Sequence, residues 1–277
     1  MARVSDALNP GTGGRVVRGA VLVYIGLLVL LPLTVLLQQG LAGGVDALWQ
    51  AISAPGARHA LTLTLWSAVV MALINAFMGT AAAWVLVRYR FPGRSFLSTL
   101  VDLPFAIPTL VTGVMLVLLY GPRGLMGDWL AATGLKVAFA PPGILLALLF
   151  VTLPFVVRAV EPVLLEQDPA EEEAARTLGA DAFTVFLRVL LPPLLPAILS
   201  GCVRSFARAL GEFGSIVVVS GNIPYKTLTA PIYLFGEIEA GAPQAAAAVS
   251  LVLLLFAVAL TYAGRALERW AGVNDDP

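Results

Sequence analysis

Six apolar runs recur along this chain, near Ala20–Leu37, Leu61–Val87, Leu100–Tyr120, Gly143–Val160, Leu195–Val219 and Ala245–Ala263. Crossing the hydrocarbon of a bilayer as a helix takes about 20 mostly apolar residues, because each adds about 1.5 Å to a core about 30 Å thick. Every run meets or approaches that length. In lipid the backbone must satisfy its own hydrogen bonds, and the period-two alternation of a barrel is absent, so the spans are helices and the fold class is all-α. Only 12% of residues are charged and 59% are hydrophobic, which leaves too little polar surface to dissolve such helices in water. The first run, about 18 residues, exceeds the h-region of a signal peptide and is followed by no clear small-residue cleavage site, so it is expected to stay as a helix.

Arginine asymmetry sets the direction of threading, since cationic loops are retained in the cytoplasm. Arg3, Arg15, Arg18, Arg88, Arg90, Arg94, Arg158, Arg176, Arg188, Arg265 and Arg269 fall on one side, and Arg58, Arg123, Lys136 and Lys226 on the other. Eleven against four, with Arg204 and Arg208 left inside the fifth run, puts both termini in the cytoplasm. The chain then divides into a cytoplasmic segment 1–18, a six-helix transmembrane domain 19–266 and a cytoplasmic tail 267–277. Formal net charge is zero, so no basic field points to a nucleic-acid partner. A single cysteine, Cys202, and a single histidine, His59, allow no internal disulfide and argue against a His/Cys metal site. Cys202 reads as a small buried apolar residue.

Between the fourth and fifth runs lies a cytoplasmic segment, 161–191, that reads as two short helices around a glycine. Asp168 can cap the first, Pro169 suits its first position, and Glu171, Glu172 and Glu173 put negative charge near its positive end. Gly179 ends it where a left-handed conformation is easy. Asp181 can cap the second helix, whose Phe183, Phe186, Val189 and Leu190 form an apolar stripe, and Pro192 and Pro193 close the segment. On these grounds alone an interfacial amphipathic hairpin and a docking element are both open.

The run Glu173-Ala174-Ala175, three residues, Gly179, nine residues, then Val189-Leu190-Leu191-Pro192 resembles the EAA motif of permeases in prokaryotic ABC importers. Its one departure is Val189 for the usual Ile, a loss of one methylene. The resemblance implies a type I ABC importer permease fold in which Glu173, Ala174, Ala175, Gly179 and Pro192 belong to a coupling helix seated in a groove of a separate ATPase. No phosphate-binding loop ending in Gly-Lys-Ser or Gly-Lys-Thr occurs in the sequence, so this chain is not expected to be an enzyme. ATP and magnesium would be held by the partner, and this chain would carry no cofactor.

The likeness extends from about Leu31 to Gly264. Arg88-Tyr89-Arg90-Phe91-Pro92-Gly93-Arg94, Asp102 to Thr109, Pro154 to Arg158, Leu210-Gly211-Glu212-Phe213-Gly214 and Gly221-Asn222-Ile223-Pro224 resemble the T-type permeases of sulfate/thiosulfate importers. Molybdate and tungstate permeases share the Gly-Glu-Phe-Gly element, and they are the alternative reading. The family implies two ATPase subunits, a second, W-type permease and a periplasmic sulfate- or thiosulfate-binding protein as partners, in a bacterial inner membrane.

Arg204, Arg208 and Glu212 recur every four residues in the fifth run and are expected to form one polar helical stripe. A charge at the centre of a bilayer costs roughly 2.5–3.5 kcal/mol or more, so the stripe should face protein or a water-filled path. A role in the translocation path or gate and an Arg208–Glu212 lock between helices both remain open. Pro104, Pro108 and Pro154 can bend their spans. Asp102 is expected to pair with an arginine of the preceding loop, and Asn75, Thr109 and Thr112 to bond between helices. Lys226 reads as an ordinary solvated lysine, with contact to the binding protein or the arriving anion as the alternative. An ion-gradient transporter would show inverted repeats, and an intramembrane enzyme would show paired catalytic residues in a span; the sequence displays neither.

Overall fold

The structure, a computed structural model, describes residues 12–270. Residues 1–11 and 271–277, with Arg3, lie outside it, as do the side chains of Arg265 and Arg269. Among the described residues all regular structure is helical. Helices α1 (Thr12–Ile25) and α2 (Leu31–Gly40) run on through a π-helical turn at Gly26–Leu30 as one span. They are followed by α3 (Gly44–Ser53), α4 (Pro55–Arg88), α5 (Arg94–Ala106), α6 (Thr109–Tyr120), α7 (Gly127–Thr133), α8 (Pro141–Glu166) and α9 (Pro169–Thr177). The chain ends in α10 (Ala182–Val185), a second π-helical turn (Phe186–Leu190), α11 (Leu191–Leu210), α12 (Gly214–Val219), α13 (Ala230–Glu239) and α14 (Pro243–Trp270).

Among the described residues five helices are long and apolar enough to cross a membrane, and α5 with α6 forms a sixth if that bent pair is one span. Six spans were expected, but the third is not straight. It turns by 113° between Ala106 and Thr109. Ile107 is extended, as the residue before a proline prefers, and Pro108, itself non-helical, occupies the cap position before α6. Pro104 stays inside α5 without a break.

The centre of the bundle is α4, α8 and α11, flanked by α14. Small residues let these backbones approach, which is how helices gain packing where no hydrophobic difference separates protein from lipid. A Cβ on Gly79 would stand 2.8 Å from Val156 Cβ, and one on Gly201 would stand 2.8 Å from Val156 Cα. A polar knot crosses the same three helices: Asn75 Nδ2 donates to Thr152 Oγ1 at 2.8 Å, and Ser205 Oγ donates to the Thr152 carbonyl at 3.2 Å. Asn75 is thus an interhelical bonder, as expected. Thr112 Oγ1 is buried without a partner, contrary to the same expectation. Cys202 is half-buried and its thiol points to the Ala72 carbonyl at 3.6 Å.

Two further boundaries differ from the sequence reading. Helix α8 runs on to Glu166 and takes in Glu161 and Pro162, which were expected to begin the loop. Pro192 and Pro193 do not close the loop either. The helix from Ala182 continues to Leu210, because the preceding π-helical turn accommodates the prolines: the Leu191 N–H bonds back to the Phe186 carbonyl, five residues away.

Candidate functional site

Helix α9 starts as the sequence dictates. The Asp168 carboxylate accepts the Ala170 N–H at 2.9 Å and Pro169 takes the first position. Gly179 has φ +89° with open space around it, so its role is conformational and not steric. Asp181 caps α10 through the Thr184 N–H at 3.0 Å, and the hydrogen bonds from Thr184 hold its carboxyl below the usual carboxylate range. Around this turn Leu178 is 89% exposed and Phe183 67% exposed. Glu173, Ala174, Gly179 and Pro192 are exposed too, and Ala175 is half-buried. The expected coupling residues therefore form an open, partly apolar knuckle at the end of the bundle. Phe186, Val189 and Leu190 turn inward, whereas Phe183 does not join them.

The knuckle is tied to the bundle by an arginine that the sequence offers as a loop cation and as the first residue of the Arg88–Arg94 run, with no contact to α9 implied. Arg88, the last residue of α4, puts Nη1 2.5 Å from Glu172 Oε1 and donates from Nη2 to Gln167 Oε1 at 3.1 Å. The Glu172 contact is a close charge pair whose angle misses hydrogen-bond alignment. Both side chains are largely buried, at 21% and 13% exposure. The guanidinium lies 5.2 Å from the Trp84 ring, which meets Phe186 edge-on at 5.9 Å, and Gln167 Nε2 donates to the Leu190 carbonyl at 3.1 Å. Glu173, the acid of the motif, makes no such contact; its neighbour Glu172 does.

A second arginine joins α8 to α5. Arg158 donates to both Asp102 oxygens, at 2.7 and 2.6 Å, to the Ser98 carbonyl and hydroxyl at 2.9 and 3.0 Å, and to Glu161. Asp102 thus finds its arginine on the fourth span and not in the preceding loop. The bidentate geometry is the strong form of such a pair.

The polar stripe of the fifth span is broken. Helix α11 ends at Leu210, Gly211 follows, and Glu212 lies beyond the helix, so Arg204, Arg208 and Glu212 do not share one continuous helix face. Arg208 Nη1 nevertheless reaches Glu212 Oε2 at 2.7 Å, and Glu212 is 1% exposed while Arg208 is 35% exposed. The other oxygen, Glu212 Oε1, accepts the Ser215 N–H and the Ser215 hydroxyl, both at 2.9 Å. This carboxylate supplies an acceptor for the first turn of α12, which stabilises the interruption. Arg204 is exposed and is not brought into the pair. Across the interruption, α12 packs on α6: a Cβ on Gly113 would sit 2.5 Å from the Ser215 carbonyl oxygen, and one on Gly214 would overlap Thr109 Oγ1. The breaks in the third and fifth spans therefore meet, with a buried carboxylate beside them.

The site thus consists of an exposed knuckle clamped to the spans and of two broken helices that meet inside the bundle. The model of the binding-protein-dependent transport system inner membrane component matches residues 75–272. The chain belongs to that family. It is a multi-pass permease subunit of an ABC importer, and the family's match covers the knuckle, the clamp and the break in the fifth span. Among relatives, a probable sulfate transport system permease protein of Nephroselmis olivacea is 45% identical over 242 residues, covering 87% of this chain and 85% of the relative. A W-type sulfate transport system permease protein of Synechocystis is 42% identical over 251 residues, covering 91% of each. The fold is that of a permease in the crystal structure of a bacterial alginate ABC transporter in complex with alginate pentasaccharide-bound periplasmic protein, with TM-score 0.77 at 18% identity over 92% of this chain and 93% of that one.

Proposed function

We propose that this permease imports sulfate, pairing as the T-type subunit with a W-type permease, two ATPase subunits that hold ATP and magnesium, and a periplasmic sulfate- or thiosulfate-binding protein. Helix α9 with Leu178 and Phe183 is the surface that an ATPase groove covers, and the chain lies in the inner membrane with both termini in the cytoplasm. Closure of the ATPases on ATP pushes α9, opens the cavity between the permeases outward to receive the anion, and hydrolysis resets it. Arg204 and Arg208, with Glu212 holding the second, are the cations of the path or gate.

The observation that carries this reading is the open knuckle of α9, where Leu178, 89% exposed, and Phe183, 67% exposed, stand beside a helix of charged residues, a mixed surface of the kind a protein groove covers. The sulfate assignment is supported by the relatives of 42–45% identity. The test is reconstitution of the four components in liposomes, with radiolabelled sulfate uptake driven by ATP and competed by thiosulfate, molybdate and tungstate. Sulfate uptake that thiosulfate competes and molybdate does not is the expected result. Preference for molybdate would reassign the substrate, and failure of any ATPase to co-purify would defeat the coupling reading.

A further inference from the structure

We infer that Arg88 is the positioning residue that ties α9 to the transmembrane bundle, so that displacement of α9 is passed to α4 through the Arg88–Glu172 pair. The inference rests on the reading of α9 as the ATPase-docking helix.

Helix α9 is weakly attached elsewhere. At its two ends the backbone leaves helical geometry, extended at Gln167 and left-handed at Gly179. Covalent continuity alone therefore transmits little rotation. Among the described residues, Glu172–Arg88 is the one hydrogen bond or ion pair that joins an α9 side chain to the spans; the other polar bonds of Asp168, Glu172, Arg176 and Thr177 stay within α9. Within α9 only Glu172 and Ala175 are even half-buried.

The receiving end is built differently. Arg88 terminates a helix of 34 residues and is braced by the Trp84 ring, so it cannot shift without moving the end of α4. Its second amino group holds Gln167, at the end of α8, and Gln167 in turn holds the Leu190 carbonyl at the base of α11. One guanidinium thus addresses α9 and three spans. The planar fork of arginine does this, whereas a lysine ammonium is a single point of charge on a flexible stem.

The experiment uses the reconstituted complex and measures ATP hydrolysed and sulfate imported in the same vesicles. For Arg88→Gln and for Glu172→Gln, ATPase subunits remain bound, hydrolysis continues, and sulfate moved per ATP falls about tenfold, the size of an ordinary coupling free energy between linked sites. Arg88→Lys gives an intermediate loss, and the exchange Arg88→Glu with Glu172→Arg recovers most of the ratio. Should Arg88→Gln fail to insert, Glu172→Gln decides, because its side chain sits on a helix at the edge of the fold. An unchanged ratio of sulfate to ATP in Glu172→Gln overturns the proposal, whether or not less complex assembles. Loss of the ATPase from the parent chain itself would instead remove the reading of α9 on which the proposal stands.

Discussion

A buried carboxylate is tolerable only while its partners are in place, and Glu212 has three: the Arg208 guanidinium, the Ser215 N–H and the Ser215 hydroxyl. Its partner is not in the same position, since Arg208 is about one-third open and can be hydrated where it stands. Removing each charge therefore has unequal effects. Arg208→Gln strands an ionised group, and breaking a buried pair in this way costs about 3–5 kcal/mol, here toward the lower end because Ser215 still donates twice. Glu212→Gln keeps an amide oxygen for Ser215 and leaves an arginine that water can reach, so it is expected to cost about 1.5 kcal/mol, the low end for a lost charge-assisted bond. Expression and thermal unfolding in detergent should rank Arg208→Gln below Glu212→Gln, with the double variant near Glu212→Gln. Equal losses in the two single variants would mean that the asymmetry of burial has no energetic consequence. A double variant that folds but imports no sulfate would assign Arg208 to the anion path.

At the scale of elements, interruptions are placed by local chemistry. Gly179 turns the chain between α9 and α10 at φ +89°, a conformation that costs a β-branched residue about 1–3 kcal/mol and asparagine much less. Because nothing lies within 4 Å of a Cβ there, substitution tests the backbone alone. Gly179→Val is expected to lower sulfate moved per ATP with the protein still inserted, while Gly179→Asn stays near the parent in the same transport assay; equal defects would point to a lost contact and not to the turn. Much of this region was legible in the sequence, since caps, prolines and glycine act over a few neighbouring residues: Asp168, Pro169, Gly179 and Asp181 all do what their types require. What escaped was non-local. Nothing near Arg88 in the chain announces Glu172, and nothing near Asp102 announces Arg158, because these pairs exist only once α4, α5, α8 and α9 are packed. The break at Gly211 was hidden for a related reason: an apolar run looks continuous until a carboxylate at Glu212 captures the Ser215 N–H.

The molecule as a whole has two distinct ends, and α4 joins them. Near its start, Thr64 Oγ1 accepts the Ala230 N–H at 2.8 Å and the His59 ring meets Tyr225 at 6.2 Å, so the loop bearing Lys226 and helix α13 lie at that end. At its other end Arg88 holds Glu172 and hence α9. His59 and Arg88 are separated by 29 helical steps, about 44 Å, which exceeds a hydrocarbon core of about 30 Å. A bilayer therefore fits between Lys226 and Leu178, and the excess of arginine at the α9 end is the ground on which that end is proposed to face the cytoplasm. Replacing Cys202 by alanine removes the one native thiol at little cost, since its bond to the Ala72 carbonyl is a long sulfur contact at 3.6 Å. In that background, Lys226→Cys should react with a membrane-impermeant maleimide added outside intact spheroplasts. Leu178→Cys should react only after the membrane is opened, and then less in the presence of the ATPase that covers it. Reaction of Leu178→Cys from outside would invert the chain in the membrane and separate α9 from any cytoplasmic ATPase, which would remove the coupling role of Glu173, Ala174, Ala175, Gly179 and Pro192 together.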